Sequence, residues 1–232
     1  MIISGLQKMT LLDYPGRVAC TVFLQGCNFR CPFCHNSGLL GAAQYDTIPV
    51  EELLDFLRKR VGILDGVCIT GGEPTLQSDL PELLRQIKAL GYTIKLDTNG
   101  SRPDMLKALV SEKLIDYVAM DIKNCPDRYA ETVGLPKMPD GVEESIRFLM
   151  EGAVDYEFRT TVVEEFHSEE NILAMGKWLA QWGKPKKLFL QPYVDRDSVL
   201  EQGLHTPDDE KLRRFEAITA PYAEFVALRG LD

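Results

Sequence analysis

The sequence is short of positive charge. Its 26 lysines and arginines face 35 aspartates and glutamates, giving a formal net charge of -9 and an isoelectric point near 5.0. That balance argues against a phosphate backbone as the main partner, so nucleic acid is not expected. No apolar run approaches the roughly 18 residues that a membrane-spanning helix needs, so no membrane partner is expected either. The opening MIISGLQKMTLLDYPG lacks the charged, apolar and cleavage regions of a secretory leader, and no low-complexity linker interrupts the chain. These absences point to a soluble, cytoplasmic protein folded as one domain over residues 1–232. The 45% hydrophobic content is ample for a single large core.

Cysteine is scarce as well, six in all, but three of the six stand within FLQGCNFRCPFCHN, residues 23–36, as Cys27, Cys31 and Cys34. In a reducing compartment, clustered cysteines bind metal or carry redox chemistry more often than they form disulfides. A structural zinc site wants four protein ligands and a disulfide wants two. Three thiolates can each ligate one iron of a 4Fe–4S cube and leave the fourth iron open to another molecule. Zinc with His35 as fourth ligand is the competing reading, although His35 adjoins Cys34, a spacing outside the usual zinc patterns. Cys20 and Cys68 fall in strand-like runs and read as small core residues, and Cys125 reads as an incidental thiol.

Strand-like runs at 17–26, 66–70, 93–98, 115–122, 155–163 and 186–193 alternate with helix-like stretches at 50–60, 80–90, 103–110, 142–150 and 168–181. A sixth helix is expected from Thr206, with Pro207 in its first turn and Asp208 and Asp209 at its positive end. Such alternation demands right-handed crossovers and a parallel sheet with helices outside. Six βα units are too few for a closed eight-stranded barrel. The expected fold is therefore α/β, a partial (β/α)6 barrel open on one side, with an open doubly wound sheet as the alternative.

On this frame the unusual residues gather where strands end. The three cysteines follow the first strand, Gly71-Gly72-Glu73-Pro74 the second, and Asp97-Thr98-Asn99-Gly100 closes the third. Asp121 and Lys123 close the fourth, Arg159 lies in the fifth, and Gln191-Pro192-Tyr193 ends the sixth. The carboxyl ends of strands are where α/β folds build their sites. Each motif alone has a plainer reading: GGEP as a turn and helix start, Asn99-Gly100 as a common turn dipeptide, Asp97 as a helix cap. His167 and His205 are expected to be solvated, and Trp178 and Trp182 to pack on one helix face.

The order CxxxCxxC, with aromatic Phe33 before the last cysteine, followed by GGE, resembles the radical S-adenosylmethionine (SAM) superfamily across nearly the whole chain. Cys34-His35-Asn36, DTNG and DIK narrow the resemblance to activating enzymes of glycyl radical enzymes. The opening GLQKMTLLDYPGRVACTVFLQGCNFRCPFCHN is similar to the activating proteins of anaerobic ribonucleotide reductase. The resemblance implies a 4Fe–4S cluster on Cys27, Cys31 and Cys34, whose open iron binds SAM's amino and carboxylate groups. Gly71, Gly72 and Glu73 would meet the amino group. Asp97, Thr98 and Asp121 would form a monovalent-cation site, with Asn99 beside them, and Lys123 and Arg159 would lie near SAM. It further implies reduction by a flavodoxin or ferredoxin, cleavage of SAM to a 5'-deoxyadenosyl radical, and hydrogen abstraction from a glycine of a large partner. Where the pyruvate formate-lyase activating enzyme has a histidine after LPY, this chain has Val194, which puts the ribose contact in doubt. The competing readings are an activase of another glycyl radical enzyme, of the pyruvate formate-lyase type; a radical SAM enzyme acting on a small molecule or RNA, for which only 36 residues between Cys34 and Gly71 leave little room; and a metal-binding structural protein.

Overall fold

The computed structural model describes residues 1–41, 47–195 and 198–230. Among these residues eight strands form one open sheet in chain order: β1 (Ile3–Thr10), β2 (Ala19–Leu24), β3 (Gly66–Gly71), β4 (Thr93–Thr98), β5 (Tyr117–Asp121), β6 (Asp155–Val162), β7 (Leu188–Pro192) and β8 (Val226–Leu228). Strands β2 to β7 are the six that the apolar runs mark out. β2, β3 and β4 pair in parallel, as do β6, β7 and β8. The two outer strands are additions to the expected six. β1 runs antiparallel to β2 and spells ISGLQKMT, in which three consecutive exposed positions leave no apolar run. β8 is only three residues long and half-buried throughout.

Among the described residues, seven α-helices connect the strands: α1 (Val50–Arg58), α2 (Leu80–Ala89), α3 (Pro103–Ser111), α4 (Pro126–Thr132), α5 (Gly141–Met150), α6 (Glu169–Leu179) and α7 (Asp209–Thr219). Proline in the first turn of α2, α3 and α4 costs no hydrogen bond, because that N–H has no helical partner. The Ser168 hydroxyl accepts from the Asn171 N–H at 3.2 Å and starts α6. α7 begins later than expected, because Asp208 is its cap, accepting from the Lys211 N–H at 2.7 Å. Thr206 instead donates its hydroxyl to the Tyr193 carbonyl. α4 escapes the periodicity because PDRYAET is short and mostly polar.

By packing, the chain divides into two compact units: Met1–Asn28, Asn36–Thr98 and Arg102–Ala119 form the first, and Phe29–His35, Asn99–Ser101 and Met120–Asp232 the second. In the first, Val22, Val67, Ile69 and Leu96 of the sheet are fully buried, as are Leu57 of α1 and Leu80, Leu84 and Ile87 of α2. In the second, Phe158, Leu190, Met175, Leu212 and Phe215 are likewise sealed. Each such side chain contributes about 1.5–3 kcal/mol of apolar burial. Among the described residues, no helix is long and apolar enough to cross a membrane.

Candidate active site

In the first unit the loop after β3 is built directly against the start of the cysteine loop. Gly71 has φ +121°, and a Cβ there would lie 2.2 Å from the Leu24 carbonyl oxygen. At Gly72 a Cβ would lie 2.1 Å from the Gly26 carbonyl oxygen and 3.2 Å from the Cys27 Cβ. Any side chain at either position would push the two loops apart, which is the physical reason for paired glycines here. The contact is sealed by the Gly72 N–H donating to the Leu24 carbonyl at 2.8 Å and the Glu73 N–H to the Gly26 carbonyl at 2.7 Å. The Asn36 side-chain amide, two residues past Cys34 in sequence, donates to the Gly71 carbonyl at 3.1 Å.

Glu73 is fully buried. Its Oε1 accepts from the Thr75 N–H at 3.1 Å, the Thr75 hydroxyl at 2.5 Å and the Thr98 hydroxyl at 2.8 Å. Thr98, expected beside a cation, is thus joined to the GGE loop. On β4, the Lys95 ammonium pairs with the Asp97 carboxylate and lies 3.8 Å from the Cys68 sulfur. In the second unit Asn99 accepts from the Ser101 N–H at 2.9 Å, closing an Asx turn. Gly100 (φ +74°) leaves no room for a Cβ, which would meet the Met120 methyl at 2.0 Å.

Cys31, Phe33 and Cys34 belong to the second unit. The Cys34 N–H donates to the Cys31 carbonyl at 3.1 Å, Arg30 donates to the Val133 carbonyl at 2.9 Å, and Glu201 to the Pro32 carbonyl at 3.0 Å. Phe33 is buried, with its ring 5.8 Å from that of Phe166. The neighbourhood of Val194 does hold an imidazole, supplied from another segment. The His35 ring stacks on Tyr193 at 5.6 Å with a 14° interplanar angle, and its Nε2 lies 2.7 Å from the Val194 carbonyl oxygen.

Asp121, Lys123 and Arg159 form one cluster. The Asp121 carboxylate accepts from Lys123 Nζ at 3.0 Å and from Arg159 Nε at 3.0 Å. Burial works to raise the Asp121 pKa, but Arg159 and Lys123 overcome it and hold the carboxyl at about 2. Burial likewise works to lower the Lys123 pKa, and Asp121 and the Cys31 thiolate more than offset it, so the ammonium stays charged. His167, expected in solvent, is buried: it accepts the Val163 N–H on Nδ1 at 3.1 Å and lies with Nε2 2.9 Å from the Lys123 carbonyl oxygen. The local sequence FHSEE hides this, because the partner of Nε2 comes from the segment after β5. His205 is exposed, but its Nδ1 lies 2.6 Å from Glu165.

The remaining thiols sort as expected. Cys20 and Cys68 are fully buried in β2 and β3, and burial pushes the Cys20 thiol up to about 12, which leaves it inert. Cys125 is buried at the start of α4. Trp178 and Trp182 meet edge to face at 6.3 Å, although α6 ends at Leu179 and only Trp178 lies within it.

The donor chemistry fits an iron–sulfur cluster. All six cysteines are thiols rather than disulfides, and thiolate sulfur is the donor that iron–sulfur clusters take. Among the described residues, no three His, Cys, Asp or Glu side chains converge on one metal ion; cysteines of a cube each ligate a different iron. A monovalent cation fits less well. Asp97 already carries Lys95, and Asp121 carries Lys123 and Arg159, so such an ion would share its carboxylates with an ammonium or a guanidinium.

Comparison with known proteins identifies the family. The family model described as the radical SAM superfamily matches residues 21–179. A protein of Methanocaldococcus jannaschii, provisionally named as a glycyl-radical enzyme activating enzyme, is 33% identical over all of this chain and 97% of its own. The pyruvate formate-lyase-activating enzyme of Clostridium pasteurianum is 30% identical over 93% of this chain and 91% of its own. Among solved structures, a domain of pyruvate-formate lyase-activating enzyme from Bacteroides vulgatus aligns with a TM-score of 0.59 at 22% identity, over 71% of this chain and 99% of that one. Streptococcus suis SuiB bound to S-adenosylmethionine aligns with a TM-score of 0.69 at 19% identity, over 90% of this chain and 52% of that one. At such identities the structural likeness speaks for the fold alone. The chain therefore belongs to the radical SAM superfamily, and within it to the glycyl-radical enzyme activating enzymes.

Proposed function

We propose that residues 1–232 act as one radical SAM domain that activates an anaerobic ribonucleotide reductase by creating a glycyl radical on it. Cys27, Cys31 and Cys34 hold the 4Fe–4S cluster. When bound, the cluster and SAM would supply, with one electron from a flavodoxin or ferredoxin, methionine and a 5'-deoxyadenosyl radical able to take a hydrogen atom from a backbone glycine. The chain's own residues prepare that chemistry. Gly71 and Gly72 let the GGE loop lie against Cys27, and the Gly72 carbonyl and Glu73 present acceptors to SAM's ammonium group. Thr98 and Thr75 hold Glu73 in place. Lys123 and Arg159 meet SAM's anionic or polar groups, with Asp121 setting their position. Asn99 closes the turn after β4, Asp97 pairs with Lys95, and Phe33, packed on Phe166, keeps water from the cysteine loop.

One observation carries the reading: the place at Gly72 where a Cβ would sit between the Gly26 carbonyl and Cys27. It couples the candidate SAM loop to a candidate iron ligand. The choice of ribonucleotide reductase rests on the opening stretch quoted above. The test is to mix the reconstituted protein with SAM, reductant and each candidate partner, and to record electron paramagnetic resonance. A glycyl radical doublet on ribonucleotide reductase supports the reading. A doublet only on pyruvate formate-lyase or a glycyl radical dehydratase would reassign the partner.

A further inference from the structure

Asn124, in the loop between β5 and α4, is buried and uses its whole side-chain amide. Its Oδ1 accepts from the Cys125 N–H at 2.8 Å, which fixes the way the amide faces. Its Nδ2 donates to the Thr132 hydroxyl oxygen at 3.0 Å and to the Phe166 carbonyl at 2.9 Å. Both of these bonds lead to the cysteine loop. Thr132 ends α4, and beside it the Val133 carbonyl accepts from the Arg30 N–H at 2.9 Å. Gly134 (φ +64°) then comes so close that a Cβ would lie 2.6 Å from the Arg30 carbonyl oxygen. Phe166, on the other route, packs its ring against that of Phe33. Arg30 immediately precedes Cys31, and Phe33 immediately precedes Cys34. Asn124 itself directly follows Lys123, whose carbonyl accepts from Nε2 of the buried His167 at 2.9 Å. The main chain at Lys123 is thus held by His167 and, through Asn124, by both routes, and every link lies within the second unit. Buried polar networks that are fully bonded are stiff.

We infer that Asn124 is a positioning residue for SAM binding: through Thr132 and Phe166 it fixes Lys123 relative to Cys31 and Cys34. The inference rests on the reading above, in which Lys123 contacts SAM and the three cysteines hold the cluster. A ligand gripped at once by the cluster and by Lys123 binds more tightly when the spacing between the two is set beforehand, because less freedom is lost on binding. Thr132 suits its part. Its hydroxyl proton is donated to the Arg128 carbonyl at 2.8 Å, which leaves the oxygen as an acceptor for Asn124.

The experiment is a double-mutant cycle on SAM affinity, read by calorimetry on the reconstituted holoenzyme, with Thr132→Val and Lys123→Met made alone and together. Thr132→Val keeps the shape of the side chain and removes the acceptor. It should carry the same iron and sulfide as wild type and bind SAM about five- to tenfold more weakly, the worth of one hydrogen bond. Once Lys123 is replaced by methionine, the same change should alter affinity by less than about twofold, because the two act on one path. Thr132→Ser, which retains the hydroxyl, should bind SAM as wild type does. Asn124→Ala cuts both routes and carries the same cycle, with the same pattern expected, where Thr132→Val folds poorly. Wild-type SAM affinity in these variants would overturn the inference. So would an equal loss with and without Lys123, which would show a purely structural amide. Failure of the underlying reading looks different: wild-type SAM affinity in Lys123→Met would remove the premise itself.

Discussion

The ammonium of Lys95 is almost completely buried and is paired with the carboxylate of Asp97, two residues further along the same face of β4. A carboxylate expected to help bind a monovalent cation thus has a cation built into the chain. Lys95→Met should destabilise the protein by about 3–5 kcal/mol, the usual cost of stranding one partner of a buried pair, as measured by urea unfolding. SAM affinity of the wild-type holoenzyme should not change when potassium is replaced by choline at constant ionic strength. A strong potassium requirement in wild type would show that Lys95 does not take the cation's part.

The cysteines divide by position. Cys27→Ala, Cys31→Ala or Cys34→Ala should each lose the cluster's absorbance and SAM cleavage, because each removes an iron's only protein ligand. Cys20→Ala and Cys68→Ala, both in fully buried strand positions, should lower the unfolding midpoint and keep the iron. Iron lost from Cys68→Ala and retained in Cys34→Ala would reverse the assignment.

Lys123 and Arg159 share Asp121. Removing either charge should weaken SAM binding by about 1.5–3 kcal/mol, the worth of a charged hydrogen bond, as read by calorimetry on the holoenzyme. Asp121 supplies a second readout. Its folded pKa, held at about 2, is depressed, so its stabilisation is fully present above the unfolded value near 4 and is lost as pH falls towards 2. Arg159→Met should move that loss to higher pH, seen as an acid-unfolding midpoint closer to neutrality.

His167 works in the neighbouring pH range. Burial lowers its pKa, and Lys211 and Lys123 add to the lowering, against the pull of its backbone partners at Lys123 and Val163. A depressed histidine contributes stability that is present above its unfolded pKa of about 6.5 and is lost as pH falls below it. The apoprotein should therefore weaken as pH falls below about 6.5, and His167→Gln should show a flatter profile there. Identical profiles would show that His167 does not titrate on unfolding.

Much of this site is legible in sequence because the chemistry is local. Cys27, Cys31 and Cys34 lie within eight residues, and Gly71 to Glu73 and Asp121 to Lys123 are contiguous, so spacing and strand ends are enough to find them. What escapes is contact between distant segments. His35 meets Tyr193 and Val194 across 158 and 159 residues, and His167 reaches back 44 residues to Lys123, so neither pairing leaves a local pattern. Lys95 looks like an ordinary strand lysine until its burial is seen. The helix α4 is too short and polar for periodicity to register. The fold follows the same rule: β2 to β7 announce themselves as apolar runs, while β1, half exposed, and β8, three residues long, do not.

The measurement that bears most directly on the central claim is deuterium transfer. Ribonucleotide reductase, or a peptide copying its glycine loop, would be prepared with deuterium on the glycine Cα and incubated with the reduced holoenzyme and SAM. The 5'-deoxyadenosine formed would then be analysed by mass spectrometry. The proposed function predicts slow SAM cleavage without the partner, acceleration by it, and one deuterium in the product. Deuterium arriving instead from a labelled small metabolite or an RNA base, with none from any glycyl radical enzyme, would contradict it.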